Sequence, residues 1–236
     1  MLGFSALLAA LSLAACGGKD KKGASSKTGT TAATSAVTVP AAGKVGCQKV
    51  PLPKPRPAQK LPNPTATLDA SHAYQAVVDT SCGSFTIKLD VEQSPKTTAS
   101  FASLARRGFY DGLTFHRIST GFVIQGGDPQ GTGNGGPGYK VVETPPSSQR
   151  YTRGVVAMAK TEIEDPGTSG SQFFVVTAED AQLGSPPAYA VVGKVSQGQD
   201  VVDRIGLLRA DPQSERPLEP VVIRSIRIVE SKSKGK

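Results

Sequence analysis

Residues 115–128 (FHRISTGFVIQGGD) set a histidine, an arginine and a glutamine among large apolar side chains. The Ser119-Thr120-Gly121 turn divides the stretch into two strand-like runs, 114–118 and 122–125, and Gly126-Gly127 ends the second. Successive strand side chains point to opposite faces. This periodicity predicts that Phe115 and Arg117 share one face, and that Phe122 shares one with Ile124. Taken alone, an arginine inside a strand reads as a solvated edge residue.

The surrounding chain repeats the pattern of short strands. In residues 84–90 (SFTIKLD) Phe85, Ile87 and Leu89 alternate with polar residues, as in a half-buried strand. Further runs fit strands at 74–80, 139–142, 154–159, 172–176, 190–195 and 221–229. Ser94-Pro95 supplies an N-cap and a first-turn proline for a helix to Arg107, with Phe101 and Leu104 inward and Gly108 at its end. A second short helix fits 199–205, where Val201, Val202 and Ile205 are apolar. Many short strands and only two helices indicate a mainly β domain, a closed antiparallel barrel or a sandwich.

The 236 residues are organised unevenly. Residues 4–13 form an apolar run, too short to span a bilayer but suited to a signal-peptide core, followed by Leu13-Ala14-Ala15-Cys16. That pattern matches a bacterial lipoprotein processing site, which predicts a signal peptide over 1–15 and lipidation (palmitate) at Cys16. No Lys or Arg precedes the run, so the amino terminus is its only positive charge; a start upstream of Met1 would supply one. Residues 16–70 are expected to be a disordered lipid-anchored tether, Pro-rich toward its end (KVPLPKPRPAQKLPNP). Residues 71–231 are the globular domain, and 232–236 a basic tail.

Charge follows the same division. Residues 17–60 hold nine Lys/Arg and one Asp, whereas 61–231 hold fifteen Lys/Arg against eighteen Asp/Glu. The pI near 9.5 therefore describes the tails, while the domain is mildly acidic. Basic residues in polar sequence without interleaved aromatics give no reason for a nucleic-acid partner; an anionic membrane surface suits them better. Cys82 alone could be a buried thiol, but Cys47 lies in a segment with no core to join. In an exported protein the pair suggests a Cys47–Cys82 disulfide.

FHRI, GFVIQGGD and GSQFFVV (residues 170–176) resemble, almost letter for letter, the motifs of the cyclophilin family of peptidyl-prolyl cis-trans isomerases, and the resemblance runs from about 74 to 229. It implies a closed eight-stranded antiparallel barrel capped by two α-helices. It also implies an isomerase of X-Pro bonds, here on exported proteins outside the membrane, acting as a monomer on proline-containing peptides. The alternative is a module of the same fold that binds proline peptides, or a chaperone, with little turnover.

By the same resemblance, Arg117 and Gln125 are catalytic. Phe122, Val123, Phe174 and Leu183 form the proline pocket; His116, Gln172 and Tyr189 border it, as do Gly131 and Thr132, and the backbone of Ala159 and Lys160 binds the peptide. Gln182 stands where many members carry a tryptophan, a residue this chain lacks throughout. Lys160 replaces a usual asparagine, and residues 162–165 (EIED) lengthen the next loop and bring acids to the groove mouth.

The residues are consistent with that chemistry. Rotation about a prolyl bond is opposed by amide resonance, a barrier near ~20 kcal/mol, and cleaves nothing, so no nucleophile, metal or cofactor is required. A fixed cation facing the proline nitrogen favours the twisted state, and an arginine side chain stays protonated. His116 is the only histidine within 74–229, which argues against a histidine-rich zinc cluster, and no GxSxG turn presents a serine nucleophile. GTGNGG (residues 131–136) has dinucleotide-loop spacing, but Pro137-Gly138 follow where a phosphate-binding helix would start.

Overall fold

The structure is a computed structural model that describes residues 46–232. The predicted signal peptide, Cys16, the expected tether over 16–45 and the tail over 233–236 lie outside them. Eight strands form one curled antiparallel sheet. In chain order they are β1 (His72–Thr80), β2 (Gly83–Leu89), β3 (Phe115–Ser119), β4 (Val123–Gly126), β6 (Val155–Met158), β8 (Phe173–Val176), β9 (Val191–Gln197) and β10 (Ile223–Lys232). Their order across the sheet is β10-β1-β2-β9-β6-β8-β4-β3, and the short strands β5 (Val141–Val142) and β7 (Thr168–Ser169) pair separately.

The barrel is not closed as expected. The edge strands β3 and β10 do not pair along their length. They approach only at one end, through a bridge between Thr114 and Val222 and bonds such as Phe115 N–H to the Val221 carbonyl at 2.9 Å. The cause is local: β3 has five residues against ten in β10, and its turn to β4 follows at once.

Strand alternation divides the apolar residues into two clusters. The inner one holds Phe85, Ile87, Phe115, Ile118, Ile124, Val156, Met158, Phe173 and Val175. Helices α1 (Pro95–Arg106) and α2 (Gln199–Gly206) add Phe101, Leu104, Val201, Val202 and Ile205 to it. The outer cluster takes the intervening residues Val123, Val155, Ala157, Phe174, Val176 and Val191. The start of α1 differs from expectation. Ser94 makes no side-chain capping bond; the Glu143 carboxylate, distant in sequence, accepts from the N–H groups of Lys96 (3.0 Å) and Thr97 (2.8 Å).

The expected face-sharing of Phe115 and Arg117 is also corrected. Phe115 opposes Gly126 and Arg117 opposes Gln125, so His116 is an extra, bulged residue. Phe115 and Ile118 both enter the inner core, leaving His116 and Arg117 between them directed away from it. Likewise Phe122 precedes β4 and packs on the outer cluster, while Ile124 is in the inner one.

Over 46–70 the chain forms no helix or strand, but it is not the free tether anticipated there. It is laid along the domain as a strap. Prolines 51, 53, 55, 57, 62 and 64 lack N–H donors and hold the chain extended, so the anchoring bonds come from the residues between and beside them. Gln48 N–H donates to the Ser81 carbonyl (2.7 Å), Arg56 N–H to Pro129 (2.8 Å) and Leu61 N–H to Pro137 (2.8 Å). The Arg56 guanidinium also reaches the Phe109 carbonyl at 2.9 Å. Gly138 lets the strap pass: at φ +89°, a Cβ there would lie 2.3 Å from the Gln59 carbonyl oxygen. A Cys47–Cys82 disulfide joins the strap's start to the turn between β1 and β2.

Candidate functional site

Strand register builds the site as a row. Arg117 on β3 opposes Gln125 on β4, Gln125 opposes Phe174 on β8, Phe174 opposes Ala157 on β6, and Ala157 opposes Val191 on β9. Around Phe174 lie Phe122, Val123, Ala159, Leu183 and Tyr189, all in the outer apolar cluster. This gives a cation and an amide beside an apolar floor, on short strands whose other face is locked into the core.

Hydrogen bonds fix the polar end. Arg117 Nη1 donates to Gln125 Oε1 (3.2 Å), Gln125 Nε2 to Gln172 Oε1 (3.1 Å), and Gln172 Nε2 to the carbonyls of Gly133 (2.8 Å) and Gly135 (2.9 Å). On its other side Arg117 Nε donates to Glu215 Oε2 at 2.5 Å, while Glu215 Oε1 accepts from Ser119 Oγ at 2.5 Å. The Ser119 bond holds the Glu215 carboxyl below its usual range; partial burial opposes this and the Arg117 guanidinium adds to it. Glu215 sits at φ +53°, uncommon for a residue with a side chain. Its N–H bonds Asp211 and its carbonyl accepts from Ile118, both at 2.8 Å. Sequence reasoning missed Glu215. It lies in an unpatterned loop 98 residues from Arg117, and nothing in the spacing joins the two.

At the apolar end, the Tyr189 ring stands edge-on to Phe174 at 5.4 Å and to Tyr151 at 5.9 Å. Tyr151 Oη donates to the Tyr189 carbonyl and accepts from its N–H, both at 2.8 Å. Burial pushes the Tyr151 hydroxyl up to about 12, so it remains a donor. Lys160 turns its amine onto the carbonyls of Thr161 (2.9 Å) and Glu164 (3.0 Å), 5.7 Å from the Tyr189 ring centre. Ala159 N–H is committed to the Gln172 carbonyl at 2.8 Å. Beside Gln125 lies a recess of about 130 Å³, lined by Gly133, Ala159, Lys160, Glu164 and Gln172. A Lys140–Glu164 ion pair at 2.7 Å borders it.

Residues 76–228 match the family described as "Cyclophilin type peptidyl-prolyl cis-trans isomerase/CLD". The chain belongs to the cyclophilin family. Among curated relatives of this cyclophilin, the Aspergillus fumigatus "Peptidyl-prolyl cis-trans isomerase-like 1" is 40% identical over 162 residues, covering 67% of this chain and 97% of the relative. The Schizosaccharomyces pombe "Peptidyl-prolyl cis-trans isomerase ppi1" is 41% identical over 150 residues, 62% of this chain and 93% of the relative. Among solved structures, a Cryptosporidium parvum cyclophilin type peptidyl-prolyl cis-trans isomerase has a TM-score of 0.61 at 32% identity, covering 66% of this chain and 98% of that one. The same parasite enzyme has been solved in the presence of the dipeptide Ala-Pro. These organisms are eukaryotic, so the relatives lend no support to a bacterial lipoprotein form.

Not every predicted site residue joins the row. Gln182 is exposed at φ +49° and, with Leu183 and Tyr151, lines a separate depression. Thr132 gives its N–H to Asp128 Oδ2 at 2.8 Å, so the loop is wound onto a carboxylate. His116 and Gly131 line a different cavity, under the strap.

Proposed function

We propose that this peptidyl-prolyl isomerase works through Arg117, whose guanidinium donates to the proline nitrogen as the amide twists and that nitrogen regains its lone pair. The observation that carries the reading is the row Arg117–Gln125–Phe174: a cation held on a short strand beside an apolar floor that suits a pyrrolidine ring. Gln125 orients the guanidinium and faces the substrate carbonyl. Phe122, Val123, Phe174 and Leu183 seat the ring. An acceleration on the order of 10⁵ corresponds to about 7 kcal/mol of stabilisation present only in the twisted state. Steady-state isomerisation of a short proline peptide tests this: Arg117→Ala should lower kcat/KM by roughly 10² or more with the fold intact. Equal turnover by the two proteins would remove Arg117 from the chemistry.

We further propose that the domain acts on exported proteins from a lipid anchor at Cys16, on the strength of the Leu13–Cys16 pattern and the polar, basic residues after it. In a host that processes lipoproteins, Cys16→Ser should move the protein from the membrane to the soluble fraction. A variant that remains membrane-bound would refute the anchor.

A further inference from the structure

Between the strap and the domain lies a cavity of about 310 Å³, at the lower end of the range for ligand sites. Leu52, Pro53, Lys54 and Pro55 form its strap side; Phe115, His116, Asp128, Gly131, Arg216 and Leu218 are among the residues of its domain side. His116 is buried, at 9% exposure, and neither ring nitrogen has a hydrogen-bond partner among the described residues. The one carboxylate in the lining is already occupied. Asp128 accepts from the N–H groups of Gln130 (2.7 Å), Thr132 (2.8 Å) and Gly133 (2.6 Å). Asp128 stays an anion, but its oxygens face these N–H groups, and with Lys54 and Arg216 exposed at the rim the lining keeps a net positive charge, beside the exposed side chains of Leu52 (66%) and Leu218 (56%).

This cavity adjoins the catalytic row. His116, bulged out of β3, is the chain neighbour of Arg117, and the loop whose start, Asp128–Gly131, lines the cavity runs on to Gly133 and Gly135, whose carbonyls hold Gln172 beside Gln125.

Resting on the isomerase reading above, we propose that the strap completes a second subsite of the peptide groove, which takes an acidic side chain of the substrate flanking its proline. The carboxylate meets the Lys54 and Arg216 charges, while its methylenes lie against Leu52 and Leu218 above the buried His116 ring. The strap thus makes specificity from sequence outside the family's matched region, residues 76–228.

The test uses the full chain and synthetic proline peptides carrying Glu, or Gln as its uncharged isostere, at each of the three positions on either side of the proline. Both kcat/KM and peptide affinity are measured. At one position Glu should exceed Gln by about fivefold, and the preference should fade at high salt. Lys54→Gln combined with Arg216→Gln should bring the ratio close to one, and Arg216→Glu should invert it. Equal values for Glu and Gln at every position overturn the subsite while leaving the isomerase reading standing. A Glu preference in affinity without turnover of any peptide supports the subsite and fails the isomerase reading.

Discussion

At Arg117 the guanidinium offers five N–H donors, and two are committed: Nε to Glu215 and Nη1 to Gln125. The remaining donors are carried in a fixed plane, which is what a reaction needing one directed hydrogen bond requires. Glu215 is therefore a positioning residue. Glu215→Ala should lower kcat about tenfold with little change in KM, because the loss is of aim rather than of ring binding. Glu215→Gln, which keeps an acceptor for Nε, should recover most of it. A proportional rise in KM with unchanged kcat would refute the positioning role. His116 gives a second residue-scale expectation, in stability. Burial lowers its pKa below the ordinary 6.5; Asp128 opposes this, and Arg216 and Arg117 reinforce it. A histidine depressed in the folded state binds its proton more readily when unfolded, so the stability it contributes is present above about pH 6.5 and is lost as pH falls through the folded value. Asp128 is pushed up by burial, but its backbone hydrogen bonds outweigh that and leave it below 3.8, so its own loss comes in more acid conditions. Denaturant midpoints should fall from pH 7 to pH 5 in the wild type and fall less in His116→Gln. Parallel curves would refute this.

Among the elements, β3 shows what periodicity can reveal and where it stops. Alternation in β4, β6 and β8 sorts Ile124, Val156 and Val175 from Val123, Ala157 and Phe174, and that pattern is legible from apolar spacing alone. In β3 strict alternation fails at His116, because the bulge depends on how the strand meets Gly126 and Gln125, a long-range condition that FHRIS does not contain. Arg117, Gln125 and Phe174 were legible only because the family motif names them; their union into one row is a matter of register. Helix α1 makes the same point. Its span and its Pro95 start could be read from the sequence, but its cap could not, since Glu143 lies 46 residues from Thr97. Glu143→Ala should cost about 1 kcal/mol in chemical denaturation, and Ser94→Ala distinctly less. The reverse order would show Ser94 to be the cap. Gly127 carries a larger penalty: at φ +86° its Cβ would stand 2.5 Å from the Ser171 carbonyl oxygen, so Gly127→Ala should destabilise by about 3 kcal/mol.

For the whole molecule, the strap is where composition misleads. A segment rich in Pro, Lys and Ala cannot build a core, and that inference holds; it does not follow that the segment stays free. Proline already restricts the unfolded chain, so laying such a segment on a finished domain costs less conformational entropy than ordering a flexible one. A few backbone bonds, the contacts of Leu61 and Leu68 with the inner core and the Cys47–Cys82 bridge then hold it. The bridge encloses a separation of 35 residues, for which loop closure predicts about 3–4 kcal/mol. Its effect should be divided by region. Cys47→Ser with Cys82→Ser should lower the denaturation midpoint and raise proteolysis in the strap at the Lys49–Val50 and Lys60–Leu61 bonds, since Lys54 and Arg56 are each followed by proline. The row on β3, β4 and β8 lies on strands that pair with neither β1 nor β2, whose turn carries Cys82, so a short neutral proline peptide should be turned over nearly as fast as by the wild type. The preference for an acidic flanking residue should fall, because the cavity's strap side is no longer fixed beside His116. Equal loss of turnover on short and acidic peptides would mean that the bridge supports the barrel as a whole. Unchanged proteolysis would mean that the hydrogen bonds of Gln48, Arg56 and Leu61 are enough to keep the strap in place.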